Sequence, residues 1–345
     1  MRLSVLDQSP VAEGATSAQA LRDSIDLARA ADALGYHRYW VAEHHGGGPV
    51  AGASPEALIG PIAAATEHLR VGSGGVMLPH YSPLKVAETF SILAGLFPGR
   101  IDLGLGRASG TDPLTAHALQ RDRGHAPPDD FPQQLAELLA YLEDGFPGEH
   151  PFARLAALPG SPERPVPWLL GSSMQSALWA AELGIGYAFA DFINADGSHI
   201  AQTYRERFAA GQRLGAPRQA VAAWAIAADS EEEAQRLASS SRMVFRLMRR
   251  GRLIPVPAPE KAMRYLASEG LDPLAPTGGR REILGTPETV RAGLEALADE
   301  YGAEEVIVVS IMHDHAARRR SYELIAGAFA LKRAAAGPVA GARAA

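Results

Sequence analysis

The stretch YWVAEHHGGG, residues 39–48, puts an acid and two histidines directly after a short apolar run and follows them with three glycines. Glu43, His44 and His45 bring groups that give or take protons, the histidines near neutral pH, and Gly46, Gly47 and Gly48 leave backbone that another molecule can approach closely. A second cluster, GSSMQS at 171–176, sets Ser172, Ser173 and Ser176 at the start of a helical pattern. Unpaired N–H groups and the positive end of the helix dipole favour an anion there, and the hydroxyls add donors, so the stretch reads as a phosphate cradle. The plainer alternative is that one serine merely caps the helix. Arg107, between small residues after an apolar run, suits a clamp on the same phosphate or an ordinary ion pair at a strand end. Gly74 and Gly75 interrupt the β-prone run GSGGVML, where glycine marks a bulge or a close approach by a flat ring or a neighbouring element. His313, Asp314 and His315 have three readings: metal ligands, a proton shuttle, or an Asp314 helix cap beside two partly exposed histidines. The cap is favoured, because Asp314 directly precedes a helical pattern.

Such groups act together only on a scaffold that gathers them. Along the 345 residues, short apolar β-like runs alternate with helical patterns: RLSVLD (2–7), YWVA (39–42), LRVGSGGVML (69–78), RIDLGLG (100–106), VPWLLG (166–171), YAFA (187–190), AVAAWAIAA (220–228) and EEVIVVSIM (304–312) each precede a helix. Eight strand-then-helix units with strands apolar on both faces predict an α/β fold, a single-domain (β/α)8 TIM barrel spanning 1–333. An open doubly wound sheet is the rival, but the first strand runs into VLDQSPVAEG, without the GxGxxG of a dinucleotide fold. Segments 145–165 and 252–285, rich in Pro, Gly and charge, are expected as insertions over one end of the barrel, and 334–345 as a frayed, disordered tail. In this fold catalytic groups collect where strands end and helices begin, which is where most of the residues above fall.

Composition narrows the chemistry. A hydrophobic fraction of 47% fits a large core, and a net charge of −6 gives no overall attraction to nucleic acid or an anionic membrane. Arg318, Arg319 and Arg320 form a local basic patch, read as a solvated helix face. With no cysteine, thiolate nucleophiles, disulfides and cysteine-bound metal centres are excluded, so redox chemistry needs a borrowed cofactor. The N-terminal MRLSVLDQSP lacks the order of a signal peptide and no apolar run approaches a membrane span, so a cytoplasmic protein is expected.

GYHRYWVAEHHGG, LRVGSGGVMLPHYSPLKVAETFSILAGLFPGRIDLGLGRASG and PWLLGSSMQSALWAAELGIGYAFADF together resemble the bacterial luciferase-like, flavin-dependent monooxygenases. The resemblance runs from the first strand to the last helix. It implies reduced FMN as the reacting cofactor, bound in place or supplied by a separate NAD(P)H-dependent flavin reductase, with O2 and a small organic substrate such as an aldehyde or polyketide. It also implies a homodimer; no metal ligands are assigned. By the same resemblance His44, with Glu43, falls on the catalytic position, and Gly74 and Gly75 on a pair joined by a cis peptide under the flavin ring. Arg107 falls on the arginine that contacts the flavin phosphate, and Ser172, Ser173 and Ser176 on the phosphate loop. Gly106 stands where luciferase itself carries a reactive cysteine, which argues against light emission. A deazaflavin-dependent hydride-transfer enzyme of the same superfamily is the second reading, though its members do not usually carry the AEHH pair. A metal-dependent hydrolase, using His44 or His45 with the 313–315 group, is the third.

Overall fold

The computed structural model describes residues 1–107, 111–120, 123–125, 129–155, 157–211, 213–276 and 280–332. The tail expected from 334 lies outside them. The chain opens with β1 (Arg2–Asp7), α1 (Ser17–Leu34), β2 (Arg38–Val41), α2 (Pro55–Ala64), β3 (Arg70–Met77) and α3 (Pro83–Leu96). It continues through β4 (Ile101–Gly106), α4 (Pro113–Leu119), α5 (Phe131–Glu143), β5 (Val166–Gly171), α6 (Met174–Leu183), β6 (Gly186–Ala190) and α7 (Ser198–Arg207). Last come β7 (Gln219–Ala227), α8 (Glu231–Met248), α9 (Pro259–Ser268), β8 (Glu282–Gly285), α10 (Pro287–Tyr301), β9 (Glu305–Val309) and α11 (His315–Ala328). Local signals set many of these limits. Proline occupies the first helical turn of α2 and α3, and Gly35 ends α1 at φ 88°, in the left-handed region a Cβ disfavours.

Strands β1 to β7 and β9 pair in parallel and close on themselves, β9 lying between β7 and β1. This is the eight-stranded barrel expected from the alternation, with helices outside it. The larger apolar core fills the layer between strands and helices, with Leu27, Ile59, Phe90, Leu139 and Val290 among its buried members. A second cluster, including Trp40, Trp168 and Trp224, fills the barrel interior. At the N-terminal end, that interior is closed by ions. Arg38 donates to both oxygens of Glu305 (2.6 and 3.0 Å) and to Asp102 (2.6 Å), Arg70 donates twice to the other Asp102 oxygen, and Trp40 Nε1 also donates to Asp102.

Two expectations about the connecting segments need correction. The segment 145–165 joins α5 to the start of β5 and so lies at the N-terminal end of the barrel, whereas 253–256 runs beside the loops after β1 and β2. There Val256 exchanges backbone hydrogen bonds with Val11 and Glu13, at the opposite end. The second segment is also more than an excursion, since it contains α9 and β8. In α9 the spacing of Ala262 and Leu266 buries one face despite the surrounding prolines, and β8 pairs with β7 from Trp224 to Ala227, beyond the residues that β6 reaches. The basic patch is corrected too. Arg318 is buried and donates to Asp7 at 2.6 Å, and only Arg319 and Arg320 lie toward solvent. Among the described residues, no helix is long and apolar enough to cross a membrane.

Candidate active site

The C-terminal ends of the strands surround a cavity of about 470 Å³. His44, Gly74, Gly75, Arg107, Ser172, Ser173 and Ser176 all line it, together with Gln8, Trp40, Phe131, Trp179 and Phe192. Its size is in the ordinary range for a small-molecule or cofactor site, and its wall is mostly apolar.

The chain after β2 is held by backbone bonds, Ala42 N–H to Asp7 O and His44 N–H to Gly52 O at 2.7 Å, which fix His44 at the rim. The Nδ1 atom of His44 is buried and no described residue supplies it with a hydrogen-bond partner. Burial, and then the charge of His45, hold its pKa below the ordinary 6.5, so the neutral ring predominates at pH 7. Glu43 points elsewhere. It is fully buried and absent from the cavity wall, where it accepts from Tyr81 Oη at 2.8 Å and Met77 N–H at 2.9 Å and bonds His45 Nε2 at 2.8 Å. The acid therefore ties the tip of β2 to the end of β3 and sets His45 beside His44. None of Gly46, Gly47 and Gly48 reaches the cavity wall, contrary to the reading of them as room for a ligand. Their φ values of 86°, 73° and 87° make a left-handed run, and a Cβ on Gly48 would lie 2.7 Å from Leu253 Cβ. They shape the loop.

Gly74 and Gly75 sit within β3, joined by a cis peptide, at a bulge where these two residues face Gly104 alone. A Cβ on Gly74 would lie 2.5 Å from Leu6 Cδ1, and one on Gly75 would lie 2.8 Å from Gly104 O. The barrel's own packing thus demands glycine here, and the same backbone forms part of the cavity wall. Across the cavity, Ser173 caps α6, weakly, with its Oγ 3.4 Å from Ser176 N. Ser176 is turned inward, donating to Ser173 O at 2.7 Å with Tyr187 Oη 3.0 Å away, and a Cβ on Gly171 would collide with it. Of the three serines, Ser172 and Ser173 stand toward the open side with the first N–H groups of α6. Arg107 forms the ion pair of its plainer sequence reading while also lining the cavity: its Nη2 holds Asp129 at 2.9 and 3.1 Å in a pair largely open to solvent, and its guanidinium lies 5.7 Å from the Trp179 ring centroid.

Asp314 is a helix cap, accepting from Ala317 N–H at 2.7 Å, while His315 bonds Asp26 at 2.8 Å and His313 approaches the Glu13 carbonyl. None of the three lines the main cavity. Among the described residues, no three of His, Asp and Glu converge as a metal site would require. Sequence reasoning missed Gln8, Phe131, Trp179 and Phe192 on the cavity wall. The usable signal for Gln8 and Phe192 was position, each standing just past an apolar strand.

These features fit a flavin mononucleotide: an apolar wall for a flat ring, a buried imidazole nitrogen lacking a partner, and a helix N-terminus with an arginine at one side. The model for luciferase-like monooxygenases matches residues 1–305. The luciferase-like monooxygenase of Escherichia coli (strain K12) is 41% identical over 93% of this chain and 95% of its own length. An N-acetyl-S-alkylcysteine monooxygenase of Bacillus subtilis (strain 168) is 39% identical, covering 95% and 98% respectively. The solved structure of apo-MsnO8 superposes with a TM-score of 0.88 at 43% identity, over 96% of this chain and 98% of that one. At the level of fold alone, the superposition extends to a diketocamphane monooxygenase in complex with FMN (TM-score 0.70, 21% identity) and to an F420-dependent alcohol dehydrogenase (0.62, 16%), so the barrel by itself does not choose the flavin.

Proposed function

The chain belongs to the luciferase-like monooxygenase family, and we propose that it uses reduced FMN and O2 to oxygenate a small organic substrate. The observation that carries this reading is the convergence on one cavity of the α6 N-terminus, the Gly74–Gly75 floor and His44 with its unpartnered Nδ1. The first N–H groups of α6 and the hydroxyls of Ser172 and Ser173, with Arg107, would hold the phosphate, and the wall of Trp40, Gly74 and Gly75 would take the ring. Reduced FMN, when bound, supplies the reaction with O2. The protein's own part is to keep the cavity apolar and to move a proton at His44, whose lowered pKa leaves it able to accept one near neutrality and return it. Glu43 acts through His45 and the backbone of Met77, as a positioning residue.

The substrate class expected from sequence, an aldehyde or polyketide, stands beside the thioether named for the Bacillus relative, and the apolar cavity suits either. A flavin reductase as electron donor, a cytoplasmic location and a homodimer belong to the same proposal. For the dimer, α3 exposes Ile92 and Leu96, and sedimentation at micromolar concentration is its test. The decisive experiment titrates the protein with reduced FMN and with reduced deazaflavin under anaerobic conditions, then admits O2 with candidate aldehydes and thioethers. Saturable FMN binding and substrate-dependent product support the reading. Retention of deazaflavin with indifference to FMN would replace it with hydride transfer.

A further inference from the structure

Phe192 lines the cavity and meets the edge of Trp224 (centroids 5.9 Å apart), which lies behind the cavity wall with Phe245, packed on it at 5.1 Å. The Arg280 guanidinium lies on this aromatic shelf, 3.6 Å from the Phe245 centroid and 5.8 Å from that of Trp224. Its Nη1 is buried, and no described residue gives it a hydrogen-bond partner. Glu282, two residues on, is held by Arg242 through Nε and Nη2 on a single oxygen. Arg249 adds a second positive charge nearby, and Thr277, Gly278 and Gly279 carry no carboxylate. Burial and Arg249 lower the Arg280 pKa to about 10, which still leaves a cation at neutral pH.

The other buried arginines each hold an oxygen, although Nε of Arg318 likewise has no partner among the described residues. Arg38, Arg242 and Arg318 each have a carboxylate oxygen at 2.6 Å, and half-buried Arg100 donates to the carbonyls of Ala63, Thr66 and Leu69. Stacking on an aromatic ring offsets part of the cost of burying a guanidinium, but its in-plane donors still need an acceptor. The fork they form matches a carboxylate, edge to edge.

We propose that Arg280 binds a carboxylate on the substrate, so that the molecule oxygenated is an organic acid whose apolar part enters the cavity past Phe192 while its carboxylate meets the guanidinium on the Trp224–Phe245 shelf. The word substrate rests on the monooxygenase reading; the anion site does not. The test is calorimetric titration of the whole protein with 4-phenylbutanoate and with its methyl ester, in wild type, Arg280→Met and Arg280→Gln. Wild type is expected to bind the acid roughly 10- to 100-fold more tightly than the ester, the worth of a charge-assisted pair. Both variants are expected to lose that preference and to keep ester and FMN affinities within about 2-fold. Equal affinities for acid and ester in wild type, binding of neither, or a preference that survives both substitutions would overturn the assignment. So would a loss of FMN affinity in the variants, with inorganic phosphate competing against FMN in wild type alone, because the guanidinium would then serve the cofactor's phosphate. These titrations need no turnover, so failure to oxygenate any compound would count against the monooxygenase reading alone.

Discussion

The two ends of the barrel are filled in different ways. At the N-terminal end, Arg38, Arg70, Asp102 and Glu305 answer one another within about one hydrogen-bond length, and Ser4 and Trp40 complete the network. At the C-terminal end, the cavity wall is mostly apolar and no described residue partners His44 Nδ1, although Glu43 behind it is fully bonded. A buried polar group without a partner is costly, and native folds keep few of them. The closed end is thus satisfied within the fold, whereas the open end leaves a cavity and an imidazole nitrogen to be met, although the same strands run between them: β2 begins at Arg38 and runs out at its other end to His44.

If this division holds, substitutions at the two ends should fail in different assays. The largest effect is expected for His44→Ala, which should keep FMN binding and folding yet lower product formation by roughly 100- to 10,000-fold, the usual worth of a positioned acid or base. Reduced flavin should still be oxidised, so product and hydrogen peroxide must be measured together. Coupled product at near wild-type rate would remove His44 from the chemistry. Next comes Asp102→Ala, which strips Arg38 and Arg70 of a shared carboxylate and should cost about 3–5 kcal/mol in urea unfolding, the range for breaking a buried ion network. Burial pushes the Asp102 pKa up, but the charges of Arg38 and Arg70 with the hydrogen bonds from Arg70 and Trp40 bring it below the ordinary 3.8, so this stability should also fade in acid as its lowered pKa is passed. A stable Asp102→Ala protein would show that the ions only fill space.

A smaller effect probes the rim between the ends. Arg107→Ala should weaken FMN binding by about 1.5 to 3 kcal/mol, with the fold intact. Because Asp129 now holds that guanidinium, Asp129→Ala should strengthen FMN binding by up to about 1 kcal/mol, the most an exposed pair is worth. Unchanged FMN affinity in both variants would move the phosphate elsewhere. The smallest effect is in the pH dependence of stability. With the folded pKa of His44 below 6.5, the unfolded chain binds more protons between those two values, so stability should fall on acidification through that window, by at most about 1.4 kcal/mol per pH unit. His44→Gln should remove that share of the slope and leave the share of His37, whose burial holds it at about 4, as melting curves of both proteins at pH 7 and pH 5.5 would reveal.

Sequence alone carried the features whose causes are local. The alternation of apolar strands and amphipathic helices, the glycine stop at Gly35, the cap at Asp314 and the bulge at Gly74 and Gly75 all follow from neighbours a few residues away. The motif residues His44, Arg107, Ser172 and Ser173 reached one cavity because strand ends in a closed barrel have nowhere else to converge. Partners came only with tertiary structure. Arg318 looked solvated beside Arg319 and Arg320, but its partner Asp7 lies 311 positions away, and Arg38 finds Glu305 across 267. Glu43 turned from His44 toward Tyr81 and Met77, 38 and 34 residues on, and Glu282, two positions from Arg280, went to Arg242, 40 residues back. A side chain's period along a strand or helix is set by the backbone, but which charge meets which is decided by the closure of the barrel, and no local pattern encodes a distance across it.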